Sequence, residues 1–303
     1  MDDETRRRVQ ANLFPQSRVA VVPWDQFPWH TGIGGKCDTW VAHSSQALAI
    51  DVFGLLKVTN QTDRDAVLGQ WANGLELPTA GPWSVELEWS DPDNLLKERR
   101  PTQVDAVAES PQAIIFIEAK FTEQEGGGCS QPLPLGSGSN KGKLQCNGNY
   151  ELQTNPVNDV TESCALTGKG IRYWDVIPKV FNIEPGSDHK PCPFAGSWFQ
   201  WMRNLVVSYE VARHKGLSPA FVLAYADGIH LSIAKMVQSN EWARLLDQLN
   251  ENAIGVGAFS YQQLISDARQ VVSGSSSDTW NALDRWVQGK IKRSETTLRS
   301  TPS

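Results

Sequence analysis

The run Ala113-Ile114-Ile115-Phe116-Ile117 constrains the fold of this chain more than any other stretch. It is too short to cross a bilayer and rich in β-branched and aromatic residues, so it is read as a buried strand. A second run, Val104-Asp105-Ala106-Val107-Ala108, ends just before it, and residues Glu109 to Gln112 have the length of a turn. Two adjacent antiparallel strands follow. Side chains alternate faces along a strand, so Glu118 and Lys120 project to one side with Phe116 behind them. Pairing through the turn can bring the Asp105 carboxylate beside that of Glu118.

Two carboxylates and an ammonium on a rigid platform have a chemical logic. Two hard oxygen ligands can hold a Mg²⁺ ion that keeps most of its waters, and the ion makes a bound water easier to deprotonate. The lysine ammonium can orient that water or stabilise the charge that develops on an attacked phosphodiester. Asp105, twelve residues, and then Glu118-Ala119-Lys120 resemble the Asp…Glu-x-Lys signature of the PD-(D/E)XK nuclease superfamily, the restriction-endonuclease-like proteins. The proline of the family's name would directly precede the aspartate, where this chain has Val104.

The resemblance implies an α/β fold. Its central mixed sheet has four or five strands flanked by helices, here with a Cys-rich irregular insertion after the third core strand. It also implies Asp105 and Glu118 as ligands of Mg²⁺ or Mn²⁺, Lys120 as the catalytic lysine, and an endo- or exodeoxyribonuclease activity. The partner is then nucleic acid, with DNA ahead of RNA. In that superfamily a helix before the sheet often adds a polar group to the metal site, and here Gln46 is the first candidate and Asp51 the second. The likeness spans about residues 40 to 230, and extends loosely to bacterial restriction-endonuclease-like proteins with a Ser-Ser-Gln helix and a Cys-rich insertion.

The net charge of −6 argues against a protein that coats nucleic acid through a broad basic surface. A nuclease needs only a basic rim around an acidic site. Lys97, Arg99 and Arg100 are rim candidates, with Arg285, Lys290, Lys292 and Arg293 as a later group. No apolar segment follows the charged N-terminus and no run is long enough for a membrane span, so a cytoplasmic location and reduced cysteines are expected. Oligomeric state is not legible.

Along the chain, residues 2 to 12 suggest a short helix, and the Gly-rich stretch from Trp29 through His30 to Lys36 reads as a flexible loop. A helix begins near Ser44 or Ser45, either serving as N-cap, with Leu48, Val52, Leu55 and Leu56 on its apolar face. A second helix covers Val67 to Leu75. From Trp83 to Trp89 the pattern alternates, with Val85, Leu87 and Trp89 on one side and Glu86 and Glu88 on the other, Glu88 being a supplementary metal candidate.

After Lys120, residues 122 to 195 are rich in Gly, Pro, Asn and Ser and lack sustained periodicity, so they need a stabilising device of their own. Gly136 to Lys143 superficially suggests a phosphate-binding loop, but Leu144 stands where Ser or Thr is required. Cys129, Cys146, Cys164 and Cys192 are read as ligands of one metal centre, Zn²⁺ or an iron-sulfur cluster, with His189 able to replace a thiolate and Cys37 left as a free thiol.

A helix resumes at Ser197 and stops at Gly216, carrying Gln200 and Arg203 toward the site, and Phe221 to Tyr225 is a buried strand. Asp227-Gly228 is read as a hairpin turn into residues 229 to 233. Helices are expected near 239 to 250, 260 to 272 and 279 to 291, with a disordered tail over 294 to 303. Residues 1 to 303 are then one nuclease-like domain enclosing the 122 to 195 insertion. The rival reading is a noncatalytic, metal-stabilised interaction or nucleic-acid-binding module on the same scaffold.

Overall fold

The two apolar runs pair as strands β2 (Gln103–Glu109) and β3 (Ala113–Lys120) in an antiparallel ladder from Ala106↔Ile117 to Glu109↔Ile114. Ser110 closes the turn: its N–H donates to the Ala113 carbonyl (2.8 Å) and its hydroxyl oxygen accepts from the Ala113 N–H (3.1 Å). Strand β1 (Ser84–Ser90) pairs antiparallel with β2, completing the meander. On the other side, β4 (Ser218–Tyr225) runs parallel to β3, and β5 (Gly255–Ser260) runs parallel to β4. The result is a mixed five-stranded sheet of order β1-β2-β3-β4-β5. Every residue of β3 is buried, as befits a strand with neighbours on both edges and helices on both faces. This computed structural model describes residues 1–32, 35–124, 126–146, 148, 154–155, 160–161, 164–183 and 192–300.

Alternation along β3 assigns its faces. Ile115 and Ile117, with Val222 of β4, look toward Phe53, Trp71 and Leu264. These come from the helical residues 45–58 and from helices Gln61–Gly74 and Tyr261–Val271. Ser44 caps the first of these through the Ala47 N–H (3.2 Å). The opposite face carries Glu118 and meets helix Phe199–Lys215, the last part of the long crossover that a parallel β3–β4 pair requires. Gly216 ends that helix at φ 72°, a conformation that costs other residues a Cβ clash.

Several expectations are corrected. Residues 229 to 233 do not form a hairpin strand: β4 already has a partner on each edge, and the chain instead enters helix Ser232–Val237. Strand β5 was hidden by Gly255 and Gly257, which lower strand propensity. At Gly257 a Cβ would come within 2.4 Å of the Phe259 ring. Within the Cys-rich stretch, helix Tyr173–Val180 buries Tyr173, Val176, Ile177 and Val180, a pattern too short to read as periodic. The last helix, Gly274–Ser300, starts before the expected 279 and continues past Ser294, which is buried, into residues expected to be a disordered tail.

That last helix is held by Asp51, which the sequence placed second in line for the metal site. Asp51 sits in a π-helical turn, Ile50–Gly54, and is fully buried. Its carboxylate accepts from the Phe14 N–H (2.6 Å), Trp286 Nε1 (2.8 Å) and Lys290 Nζ (2.6 Å). Lys290 is equally buried and so cannot belong to a basic rim. Burial pushes the Asp51 carboxyl up and the Lys290 ammonium down, and each opposes the other's shift. Removing one partner strands the other's charge, so Lys290→Ala is expected to lower unfolding free energy by about 3–5 kcal/mol in urea titrations. An unchanged midpoint would show that the pair does not anchor the helix.

Candidate functional site

The registers of the first three strands converge on one row. Continuing β1–β2 from Leu87↔Ala106 and Trp89↔Val104 sets Glu88 opposite Asp105, and continuing β2–β3 from Ala106↔Ile117 sets Asp105 opposite Glu118. All three carboxylates are buried. They line a cleft of about 280 Å³ together with His30, Ser45, Gln103, Lys120, Glu123 and Gln200. The expected meeting of Asp105, Glu118 and Lys120 is therefore present, with Glu88 added.

Asp105 accepts the Ala119 N–H at Oδ2 (2.7 Å), which pins it against β3. Burial, then the charges of Glu118 and Glu88, push its carboxyl well above the usual carboxylate range, while Lys120 and the Ala119 amide pull the other way. Glu118 is held from the helix above it: Gln200 Nε2 donates to Oε1 (2.5 Å) and Asn204 Nδ2 to Oε2 (2.9 Å). Lys120 Nζ lies 2.8 Å from Glu118 Oε1 and donates to Gln200 Oε1 (3.2 Å). Burial works against the Lys120 charge, but Glu118 and Glu123 outweigh it and hold the ammonium above its ordinary range. In this arrangement Lys120 is a cation and hydrogen-bond donor.

Glu88 departs from the alternation expected of its strand. Its φ of 53° lies in the left-handed region, the ladder has no pair at this position, and both Glu88 and Trp89 are buried while Glu86 is exposed. Trp89 packs edge-on against Phe116, with ring centroids 5.4 Å apart. Such backbone is costly for a residue with a Cβ and persists only where the surroundings fix it. Here Gln46 Nε2 donates to Oε1 (2.6 Å), Gln103 Nε2 to Oε2 (2.9 Å), and His30 Nε2 lies 3.3 Å from Oε2.

Gln46 is fully buried, and its other bonds go to the Pro28 carbonyl, the His30 N–H and the Thr39 hydroxyl. Its two amide hydrogens and two acceptor sites are all engaged, so it orients Glu88 and His30 and has no lone pair left over.

His30 is the residue that sequence reasoning missed, because its Gly-rich neighbourhood reads as loop. One of its ring nitrogens and one oxygen each of Glu88 and Asp105 lie within 4.8 Å of one another. Partial burial disfavours its charge, but the bond and charge of Glu88, with Asp105 and Asp38 behind them, raise the imidazole to about 9. Asn204 was missed as well, for a polar residue on a helix carries no sequence signal of what it faces.

Other candidates lie elsewhere. Arg203 is committed to Glu98 (2.9 Å), the Tyr173 hydroxyl (2.8 Å) and Thr102 (2.9 Å), which braces the loop leading into β2. None of the five cysteines is in a disulfide, and by the same 4.8 Å measure the four of the insertion form no ligand group among the described residues. His189 lies outside the described residues.

By ligand-atom spacing the donor group is His30, Glu88 and Asp105, with Glu118 outside it; the carboxylate oxygens suit a hard divalent cation, and burial makes the charge on Asp105 expensive. A family model described as Restriction Endonuclease associating with ARP (REase-ARP) matches residues 25–272, a span that encloses all five strands and every residue of the cleft. No curated protein and no solved structure matches the chain. Among the described residues no helix is long and apolar enough to cross a membrane.

Asp105→Asn keeps an acceptor for the Ala119 amide and deletes the charge. Because the folded-state pKa is raised, ionising Asp105 destabilises the cation-free fold increasingly as pH climbs above the carboxylate range near 4. In chelator at about pH 8 the variant is expected to unfold at higher urea than the native chain, the gain fading toward about pH 4. It should also lose the stabilisation that Mg²⁺ gives the native protein. A lower midpoint at the higher pH would contradict this account.

Proposed function

Since the chain belongs to the REase-ARP family of restriction endonucleases, we propose that it hydrolyses DNA phosphodiester bonds at the Glu88–Asp105–Glu118–Lys120 cleft. The observation that carries this reading is the register of three strands, which lines up two family-type acids and a third carboxylate, with a buried lysine two residues beyond the last. Asp105 and Glu118 hold the divalent cation, Mg²⁺ or Mn²⁺, and Glu88 stands beside Asp105 as a further oxygen donor. When bound, such an ion supplies Lewis-acid polarisation of the phosphoryl group and acidifies a bound water.

The chain's own residues do the rest. Lys120, kept cationic by Glu118 and Glu123, donates to the attacking water or to a phosphoryl oxygen as negative charge develops there. The water oxygen bonds to phosphorus as the bond to the deoxyribose oxygen breaks; the water gives up one proton to solvent and the leaving oxygen takes one up from solvent, so the protons balance. Gln200 and Asn204 keep Glu118 from swinging away, and Gln46 does the same for Glu88. Lys97, Arg99 and Arg100 are exposed on the loop that enters β2 at its cleft end, where they are placed to meet the phosphate backbone.

Incubating linear, plasmid and single-stranded DNA with purified protein tests this reading. Cleavage is expected only with Mg²⁺ or Mn²⁺, and Asp105→Ala and Glu118→Ala should abolish it. Lys120→Met should reduce turnover by about 10²–10³-fold, the scale of losing one donor to a developing anion, while cation binding persists. Undiminished cleavage by Asp105→Ala would place the chemistry elsewhere.

A further inference from the structure

The four cysteines of the insertion come from four separate segments; backbone bonds join those of Cys129, Cys146 and Cys192, and the Lys169 side chain joins that of Cys164. The Gln131 carbonyl, two residues after Cys129, accepts from the N–H groups of Gln145 (3.2 Å) and Cys146 (3.1 Å). Gly148, two residues after Cys146, accepts at its carbonyl from the Cys192 N–H (2.7 Å). Its own N–H donates to Cys146 Sγ (3.3 Å). The turn after Cys164, closed by the Gly168 N–H to the Cys164 carbonyl (3.2 Å), presents Lys169, whose ammonium donates to the side chains of both Gln131 and Gln145.

Those bonds bring the segments that carry the cysteines to one side of the core, against which Cys129, Cys164 and Cys192 pack partly buried. We propose that Cys129, Cys146, Cys164 and Cys192 bind one four-thiolate metal centre, zinc or an iron-sulfur cluster, which folds the insertion. Soft sulfur donors with no carboxylate among them select these metals and not the hard cation of the cleft. No three of the four sulfurs lie within 4.8 Å of one another, so binding a single tetrahedral ion requires the loops that carry them to close further. A bound metal stabilises the thiolates.

The centre has a structural consequence at the cleft. The insertion leaves the sheet after Lys120 and packs Gly126 so closely on Trp201 that a Cβ would come within 2.2 Å of its ring. It returns through Cys192 and a turn closed by the Ala195 N–H (3.1 Å) into helix Phe199–Lys215. Gly127 accepts the Gln200 N–H (3.4 Å) on the way. One metal therefore fastens both the chain leaving Lys120 and the chain that delivers Gln200 and Asn204 to Glu118.

The test uses the full chain purified anaerobically, and its readouts do not depend on DNA cleavage. Elemental analysis is expected to find either about one zinc per chain without colour, or iron with sulfide and a broad brown absorbance. Cys164→Ser and Cys192→Ser should lose that metal and Cys37→Ser should keep it. In case the serine variants fail to fold, alkylation of the native protein followed by mass spectrometry gives a second readout. Cys37 should react while the four insertion thiols are protected until a chelator is added. Metal absent from the native protein, metal retained at full content by Cys164→Ser, or insertion thiols alkylated as fast as Cys37 would each overturn the proposal.

Discussion

Crowding three carboxylates in one buried row is the constraint on which the arrangement of this protein depends. Glu88, Asp105 and Glu118 are neighbours because the registers of three adjacent strands, extended past their last or interrupted pairs, bring them to one row, and their burial makes the mutual repulsion expensive in the absence of a cation. Much of the surrounding polar structure answers that cost. Lys120 and the amides of Gln200 and Asn204 compensate Glu118, the Ala119 amide compensates Asp105, and Gln46, Gln103 and His30 compensate Glu88. A site built in this way stores instability that a divalent ion would relieve, which is the usual trade between function and stability.

The scaffold is correspondingly rigid where the acids sit. β3 is buried along its whole length and clamped by an antiparallel neighbour on one edge and a parallel one on the other. The helical layer behind it is locked from outside by the Asp51–Lys290 pair, which secures the last long helix to the π-helical turn at Ile50–Gly54. A buried ion pair adds little net stability relative to apolar packing, but losing either partner would strand the other's charge between that helix and the turn. Asp51 serves the architecture, and the acids that serve the cleft lie on strands.

The backbone at Glu88 is where local preference yields to the site. A positive φ in a strand removes a ladder pair and breaks the alternation of faces, and it is held by three side chains from three different segments. Arg203 shows the converse: a side chain with the chemistry to bind phosphate is consumed by Glu98, Tyr173 and Thr102 to brace the loop before β2. Chemical type alone does not assign a role, since hydrogen-bonding partners decide what a polar group is free to do.

The sequence by itself determined the β1–β3 meander, the crossover helix with its glycine stop, and the adjacency of Asp105, Glu118 and Lys120. Each rests on a short-range rule: alternation along a strand, a turn of fixed length, or helical periodicity ending at a residue tolerant of positive φ. Tertiary structure alone decided the rest. It brought His30 out of a Gly-rich stretch to Glu88, turned Glu88 inward, placed Asn204 over Glu118, sent Asp51 to Lys290, and made a strand of the glycine-containing Gly255–Ser260. All of these depend on contacts between residues far apart in the chain, where the deciding energy is burial and pairing with a partner that no local pattern names.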